Sequence, residues 1–347
     1  MRPPERRSRS SGSKKSCRSD AVKRILVIKL SSLGDIAHAL PAVRALKERT
    51  GAAVDWVVQP EYAPLLALCP DVDRLIEFPR RNWRRGWGAF WRELRRERYD
   101  WVVDFQGLFK SALAARLARG ARRTGPAWAR EGSPWVYDVR PARKPGPRRH
   151  AVEELMDIVE MVAPGGDSAP PAPRLNVEEF LPDGRPGPQV GLAPFSRWRT
   201  KNWPLESFAE LGRRLISEMG CRILIVGGAG DEAAGERLAA AIGDEARNLC
   251  GQTDLPGLCS RLKSLDLLIT VDSGPMHWAD AMGVPLVAVF GATDPERTGP
   301  YRQREWVVVR DGLPCRPCHS RTCARGDLAC LQTLDLERVL QAALERL

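Results

Sequence analysis

The segment with the clearest chemical signal begins at Asp272, directly after the apolar run LLITV. The next residues are Ser273, Gly274 and Pro275, and proline suits the first turn of a helix. Free N–H groups at a helix start, together with the helix dipole, bind anions, and Gly274 lets a phosphate approach the backbone. His277 follows within one turn. The segment predicts a phosphate site, with a capped core helix and a hydrogen-bonded histidine as the simpler alternative.

A carboxylate, Asp35, ends the turn SSLGD that follows another apolar run, RILVIKL. A helical pattern, IAHALPAVRALKERT, begins at the next residue. Because α/β proteins bind substrates at the carboxyl ends of their strands, Asp35 could serve there as a general base. Aspartate is also a preferred residue at a helix N-terminus, so a simple capping role is the alternative.

A loop rich in cations and hydroxyls follows the apolar run QVGLAPF and leads into a helical pattern at Pro204. Its hydroxyl and basic side chains are Ser196, Arg197, Arg199, Thr200 and Lys201. Such a loop beside a helix start suits a diphosphate. An ordinary solvated loop is the alternative.

Two further motifs are weaker. GGAGDE, at 227–232, follows an apolar run but lacks the G-x-G-x-x-G spacing of dinucleotide sites. Asp71-Val72-Asp73 has the D-x-D spacing of some metal sites. Since it precedes the apolar run RLIEF instead of following one, we interpret it as a turn.

The elements that must position these residues are short apolar runs alternating with amphipathic stretches. Further apolar runs are AVDWVV, DWVVDF, CRILIVGG, LDLLITV and VPLVAVFG. The alternation predicts an α/β fold with parallel, doubly wound sheets covered on both faces. Seven prolines and four glycines within 163–188 predict a linker between Rossmann-like domains at 23–162 and 189–334. A C-terminal helix is expected at 335–347. Two such domains place a cleft at the carboxyl ends of their strands.

The charge balance separates two cationic stretches from the rest of the chain. The 347 residues carry a net charge of +11, to which residues 1–20 contribute +5 and residues 80–98 contribute +6. A globally basic nucleic-acid coat protein is therefore disfavoured. Residues 1–22 are expected to be a disordered basic leader, because they are rich in basic residues and serine. They lack the hydrophobic region of a secretory signal. No apolar run reaches the length of a spanning helix. These features predict a cytoplasmic protein whose nine cysteines are not a disulfide framework.

Three stretches in this order resemble glycosyltransferase family 9: KLSSLGDIAHALPA, DFQGLFKSALAARL and VDSGPMHWADAMGVPLVAVFGATDP. The resemblance extends over roughly residues 23–335. It implies the GT-B architecture, with an acceptor-binding first domain and a nucleotide-sugar-binding second domain. It also implies transfer of L-glycero-D-manno-heptose from ADP-heptose to the inner core of lipopolysaccharide, with inversion and without a metal ion or other cofactor.

The resemblance assigns roles to individual residues. Asp35 matches the catalytic base, and Lys201 matches a lysine at the donor diphosphate. Glu232 falls where a carboxylate binds the nucleoside. The remaining predicted donor-binding residues are Ser196, Thr200, Asp272, Ser273, Gly274 and His277.

The acceptor implied by the resemblance, Kdo-lipid A or its heptosylated core, is anionic and lies on the inner leaflet. The arginine- and tryptophan-rich stretch 80–98 predicts a helix with one aromatic face, formed by Trp83, Trp87, Trp91, Phe90 and Leu94. The predicted acceptor-binding residues are Arg84, Arg85, Arg92, Arg95, Gln106 and Lys110. These arginines suit carboxylates, phosphates and an inner-leaflet surface, which predicts a peripheral membrane enzyme. A core-packed helix with solvated arginines is the alternative.

Three questions stay open at the level of sequence. The N-terminal half resembles members that add the first heptose, whereas CRPCHSRTCARGDLACL resembles members that add the second. The cysteines of that segment, Cys315, Cys318, Cys323 and Cys330, could bind zinc, although a metal-free loop is favoured. Two alternative functions remain. The chain could be a non-catalytic envelope- or nucleic-acid-binding module on a degenerate fold, or a family member that uses another nucleotide sugar. We expect no nucleic acid partner, because Asp35, Lys201, Asp272 and His277 are all retained.

Overall fold

The computed structural model describes residues 21–80, 83–144, 149–167, 169–180 and 184–347, and only the backbone of residues 83 and 84. The expected leader lies almost wholly outside these residues, as do parts of the expected linker. Among the described helices, none is both long and apolar enough to cross a membrane.

The first domain contains a five-stranded parallel sheet with the order β3-β2-β1-β4-β5. Its strands are β1 (Arg24–Ile28), β2 (Ala53–Val58), β3 (Arg74–Glu77), β4 (Tyr99–Asp104) and β5 (Gly120–Thr124). Its helices are α1 (Leu33–Thr50), α2 (Ala63–Leu66), α3 (Trp83–Arg96), α4 (Phe109–Leu117) and α5 (Ala151–Val162).

The second domain contains a six-stranded parallel sheet with the order β11-β10-β9-β6-β7-β8. Its strands are β6 (Gln189–Ala193), β7 (Arg222–Ile225), β8 (Ala246–Asn248), β9 (Leu267–Val271), β10 (Leu286–Phe290) and β11 (Val307–Val309). Its helices are α6 (Leu205–Met219), α7 (Glu232–Ile242), α8 (Leu255–Lys263), α9 (Gly274–Met282), α10 (Pro295–Thr298), α11 (Ala329–Gln332) and α12 (Leu336–Arg346).

Three apolar clusters hold these layers together. The central cluster joins the two domains, since it contains Ile36 and Val43 of α1 as well as Met276 and Trp278 of α9. The other two clusters fill the outer faces of the two sheets. Helix α1 is buried on almost all sides because it lies between the first sheet and the second domain.

The α/β prediction is confirmed, and the apolar runs form the inner strands of both sheets. Strands β5, β8 and β11 were not predicted, and each is an edge strand. An edge strand has one hydrogen-bonded neighbour and does not need an unbroken apolar sequence, so the segments GARRT and ARN give no strand signal.

Helix α3 forms as predicted, but its aromatic face is narrower than expected. Phe90 and Leu94 are buried and Trp87 packs against them, whereas Trp91 is exposed. A four-residue step turns a helix by about 400°, so residues at this spacing drift by about 40° at each step. Trp91 therefore lies outside the buried face of α3. The side chain of Trp83 lies outside the described residues.

Candidate active site

The candidate residues lie where the strand order of each sheet reverses. In the first sheet the reversal falls between β1 and β4, and Asp35 and Gln106 follow these strands. In the second sheet it falls between β6 and β9, which are followed by Lys201 and Asp272. Open α/β sheets bind ligands at such switch points because the connections leave on opposite faces and open a crevice.

Asp35 lies in the first turn of α1 and completes a capping box. Its carboxylate accepts hydrogen bonds from the backbone N–H of Ser32 (2.9 Å) and from the Ser32 hydroxyl (2.7 Å). The Lys29 ammonium lies 3.9 Å away, and the Asp35 side chain remains 49% exposed. The surrounding protein removes water from the carboxylate, which raises its pKa. The Lys29 charge and the Ser32 hydrogen bonds outweigh this effect and lower the pKa of Asp35 to about 2. Asp35 is thus an ionised helix cap that still faces solvent.

The turn that carries Asp35 is held by β4 and the loop after it. The buried Lys29 donates to the Phe105 carbonyl (3.1 Å). The side-chain oxygen of Gln106 accepts from the N–H groups of Leu30 (3.2 Å) and Ser31 (3.3 Å). Gln106, a predicted acceptor ligand, therefore positions the turn through its oxygen. Sequence reasoning missed Lys29, although its place at the end of an apolar strand was a usable signal.

In the second domain, Lys201 is fixed by a buried carboxylate. Its ammonium lies 2.7 Å from Asp272, which is 4% exposed and also accepts a 2.7 Å hydrogen bond from the Thr293 hydroxyl. Trp198 covers the same ammonium, with the ring centroid 4.8 Å from the nitrogen. Asp272 therefore positions Lys201, and the lysine adds a charge beside the N-terminus of α9. Thr293 was not singled out in the sequence.

The N-termini of α1 and α9 meet at the domain interface. The Trp278 indole donates to the Leu33 carbonyl (3.1 Å). A Cβ atom on Gly34 would lie 2.3 Å from the His277 ring, and one on Gly274 would lie 2.4 Å from the Leu33 side chain. The two glycines thus permit a contact that any larger residue would prevent. This contact brings Asp35 of one domain close to the donor segment of the other.

Three of the chain's four histidines stack along this interface. The His38 ring centroid lies 4.4 Å from that of His277 and 5.3 Å from that of His150. Burial lowers the pKa of His277 to about 3 and that of His150 to about 4. Burial and the neighbouring histidines hold the pKa of His38 well below its usual range. The three imidazoles are therefore neutral at physiological pH.

Other predicted donor residues are more dispersed. Glu232 begins α7 at the carboxyl edge of the second sheet, where its carboxylate accepts from the Gly230 N–H (2.6 Å). Ser196 is half-buried in the loop after β6, and its carbonyl accepts from the Asn202 side chain. The buried Thr200 hydroxyl donates to the Ser320 carbonyl (2.7 Å). Thr200 therefore anchors the cysteine-rich segment beside the site, and its hydroxyl is not turned to solvent.

The predicted acceptor arginines are spread along α3. Arg85 lies near the start of the helix, at the carboxyl edge of the sheet, and the side chain of Arg84 lies outside the described residues. Arg92 lies two turns further on. Arg95 donates to the Leu117 carbonyl (2.8 Å) at the end of α4, which runs back to the opposite edge of the sheet. Because a helix rises about 1.5 Å per residue, Arg95 is about 15 Å further along α3 than Arg85. The structure therefore does not bring Arg92 and Arg95 to Asp35.

The four cysteines of the cysteine-rich segment differ in burial. Cys315 and Cys318 are exposed, whereas Cys330 is buried. Within the described ranges, no three His, Cys, Asp or Glu side chains are arranged to hold a metal ion. The segment packs over the second sheet, where the His319 N–H donates to the Ala292 carbonyl (2.8 Å) and the Arg321 guanidinium covers Trp198.

Two Rossmann-like domains that meet at the carboxyl ends of their strands form the GT-B architecture. The model of the family described as "Glycosyltransferase family 9 (heptosyltransferase)" matches residues 87–329. The chain belongs to glycosyltransferase family 9, and it is an enzyme. The family expectation drawn from the sequence motifs is confirmed.

Individual relatives agree with this assignment. The chain is 32% identical to lipopolysaccharide heptosyltransferase 1 of Pseudomonas aeruginosa, over 86% of this chain and 87% of the relative. It is 31% identical to lipopolysaccharide heptosyltransferase 2 of Escherichia coli, over 82% of this chain and 87% of the relative. A solved structure described as E. coli heptosyltransferase WaaC with ADP superimposes with a TM-score of 0.74 at 27% identity, over 93% of this chain and all of that chain.

Proposed function

We propose that this enzyme transfers L-glycero-D-manno-heptose from ADP-heptose to the Kdo and heptose inner core of lipopolysaccharide, with inversion at the anomeric carbon. The observation that carries the proposal is the contact between Gly34, which precedes the ionised Asp35, and His277 of the other domain. The His277 ring lies 3.8 Å from Asp272, the partner of Lys201. Relatives named as heptosyltransferases 1 and 2 support the heptose and the acceptor, and the ADP in the superimposed structure supports the nucleotide.

Asp35 acts in this proposal as the general base. An acceptor hydroxyl attacks the anomeric carbon, its proton passes to Asp35, and the bond to the diphosphate breaks with its electron pair leaving on ADP. Ser32 supplies a hydroxyl hydrogen bond that helps to lower the pKa of Asp35. An acceptor hydroxyl bound at the carboxylate donates a hydrogen bond to Asp35 and passes its proton along this bond as its oxygen attacks. In this single displacement the hydroxyl attacks the face of the sugar opposite to the departing diphosphate, which produces inversion.

Charge on the departing ADP is balanced by groups of the second domain. The Lys201 ammonium and the free N–H groups at the start of α9, around Ser273 and Gly274, converge beside β9. Preorganised cations and helix N-termini stabilise charge that develops in a transition state. These groups take the part that a divalent cation plays in other transferases, so transfer is expected to be metal-independent. Glu232 lies at the start of α7, after β7, and we propose that it binds the nucleoside.

The acceptor is assigned to the first domain. Arg85 and Lys110 are exposed and lie at the carboxyl-edge ends of α3 and α4, on the side of the sheet where Asp35 lies. Their charges suit the carboxylates of Kdo and the phosphates of lipid A. We place the enzyme at the inner face of the cytoplasmic membrane, where such a lipid acceptor is made. An enzyme that uses lipid A carrying Kdo adds the first heptose, and one that uses the heptosylated product adds the second.

The proposal is tested by incubating purified enzyme and ADP-heptose with lipid A that carries Kdo, or with its heptosylated product, in the presence of EDTA. Mass spectrometry should show the mass of one added heptose on one of the two acceptors. Absence of product from both acceptors, with EDTA and without it, contradicts the proposed reaction. Product that forms only with added Mg²⁺ or Mn²⁺ contradicts metal independence alone.

Replacing Lys201 by alanine is expected to weaken ADP binding by about ten- to a hundredfold, because a charge-assisted hydrogen bond contributes about 1.5–3 kcal/mol. The buried Asp272 is also left without its cation and repels the diphosphate. Calorimetric titration with ADP measures the change. Lys263→Ala is the matched control, since Lys263 lies in the same domain and pairs only distantly with Glu179 (3.9 Å). Equal ADP affinity in both variants would remove Lys201 from the donor site.

A further inference from the structure

Large apolar side chains are exposed on neighbouring elements of the first domain. Trp135 is 93% exposed, Phe109 is 59% exposed, and Leu113 and Trp91 are each 38% exposed. Phe109 and Leu113 are four residues apart and share one face of α4. Single exposed apolar residues are ordinary on protein surfaces, but a group on adjoining elements marks an interaction site.

Several contacts place these elements side by side. Trp135 belongs to a short 3₁₀ turn, Ser133–Val136, whose Ser133 hydroxyl donates to the Gly107 carbonyl (2.9 Å) just before α4. The Phe109 N–H donates to Glu131 (3.3 Å) in the loop that leads into this turn. On the other side, Arg95 of α3 joins α3 to the end of α4 through its bond to Leu117 and stacks over Trp91 at 4.9 Å. We call Phe109, Leu113, Trp135 and Trp91 the apolar patch.

Several exposed basic side chains lie on the elements that carry the patch, namely Lys110 and Arg116 on α4 and Arg130 in the loop before Ser133. Residues 109–144 contain nine basic and two acidic side chains, a third cationic stretch that the whole-chain arithmetic conceals because acidic residues elsewhere balance it. The basic residues are Lys110, Arg116, Arg119, Arg122, Arg123, Arg130, Arg140, Arg143 and Lys144. Helix α3 adds Arg92, Arg95 and Arg96.

We propose that the apolar patch is a membrane anchor that inserts into the headgroup region of an anionic lipid bilayer, with Lys110, Arg116 and Arg130 beside the lipid phosphates. Tryptophan and phenylalanine beside exposed cations suit this interface, where apolar surface and negative charge lie within a few ångströms. A second copy of the chain is a poorer occupant, because a two-fold contact through this face would bring two cationic surfaces together.

The anchor lies close to the catalytic turn. Phe109 is three residues from Gln106, whose side chain holds Leu30 and Ser31 ahead of Asp35. Insertion of Phe109 therefore presents the carboxyl edge of the first domain to the bilayer surface. A sugar chain that is attached to a lipid in the same bilayer can reach Asp35 without leaving the membrane. This last step rests on the proposed function, whereas binding to lipid does not.

The test is co-sedimentation of the full chain with vesicles that contain phosphatidylglycerol and no lipopolysaccharide. A Phe109→Ser/Trp135→Ser variant should partition into these vesicles at least about tenfold less strongly, since both aromatic side chains lose the apolar surface that they bury in the bilayer. The matched control is Met219→Ser, which removes a 42% exposed apolar side chain from α6 of the second domain and should bind as the wild type does. Arg116→Gln/Arg130→Gln should weaken binding and reduce its dependence on salt.

ADP affinity and thermal unfolding should be unchanged in Phe109→Ser/Trp135→Ser, which shows that the fold is intact. Equal vesicle binding by the wild type and this variant overturns the proposal, as does a wild type that binds no vesicles. A wild-type dimer that the serine variant converts to a monomer, without vesicle binding, would make the patch a contact between copies. If vesicles bind as expected but no protein transfers heptose, the proposed function fails and the anchor stands.

Discussion

Replacing Asp35 by asparagine should lower kcat for heptosyl transfer by about 10²–10⁴-fold, the usual contribution of a general base. Asparagine keeps the size and one acceptor oxygen, so it can still accept the Ser32 N–H and preserve the start of α1. It cannot take a proton from the acceptor hydroxyl. Because a base acts mainly in the transition state, ADP affinity should stay within about twofold of the wild-type value. Steady-state kinetics and calorimetry with ADP measure the two effects.

The matched control for this variant is Asp73→Asn. Asp73 also pairs with a lysine, Lys47, and also accepts a backbone N–H, that of Val54 (2.7 Å), but it precedes β3 at the edge opposite the site. Its replacement should leave kcat unchanged. A wild-type kcat in Asp35→Asn would mean that Asp35 is a helix cap and that another group takes the proton.

The second large effect concerns acid stability. The unfolded chain protonates His38, His150 and His277 near pH 6.5, whereas burial keeps all three neutral in the folded chain. The three rings therefore bind more protons in the unfolded state below pH 6.5, and the free energy of unfolding falls as the pH falls toward the folded pKa values, which are about 4 for His150 and about 3 for His277.

Asp280 has the opposite effect on the pH dependence. Burial raises its pKa to about 6, so below that pH the folded chain binds a proton that the unfolded chain does not yet bind. Burial raises the pKa of Asp71 and Asp104 as well, and these carboxyl groups act in the same direction as Asp280. A difference of one bound proton between the unfolded and folded states corresponds to about 1.4 kcal/mol of unfolding free energy per pH unit.

Urea unfolding measured from pH 7.5 to pH 4.5 checks this expectation. His38→Gln removes one titrating ring from the stack, so the slope of the unfolding free energy against pH should fall by about 1.4 kcal/mol per pH unit. The comparison uses slopes against pH. A loss of unfolding free energy that the substitution causes equally at every pH does not change the slope. His319 is exposed, and His319→Gln should leave the slope unchanged. A slope in His38→Gln equal to that of the wild type would contradict the neutral histidine stack.

The inner strands and the main site residues could be predicted from the sequence for the same reason. A parallel strand buried on both faces must be apolar, and the turn after it must lie at the carboxyl edge of the sheet. Asp35, Lys201 and Asp272 each follow such a strand, so their chain positions place them at that edge. The edge strands β5 and β8 escaped prediction, because a strand with one neighbour tolerates polar residues and glycine, as in β5.

Other features depend on which elements the fold places together. Asp272 has the sequence signature of a ligand-binding residue, but Lys201 and Thr293, which come from the loops after β6 and β10, turn it into a buried counter-ion. Gly34 resembles an ordinary turn glycine, although the space beside it is filled by the His277 ring of the other domain. The Lys201–Asp272 and Gly34–His277 contacts join residues 71 and 243 positions apart along the chain, so no local pattern encodes them.

The sequence by itself determined the α/β class, the inner strands, the family and the group of residues from which the site is built, because strand burial and helix starts impose local patterns. Only the tertiary structure decided how the two halves meet. Leu33 and Gly34 lie against Gly274 and His277, His38 and His150 join the same stack, and the arginines of α3 are divided between the two edges of the sheet. These are results of packing between distant elements, where shape and desolvation act on neighbours that the order of residues does not reveal.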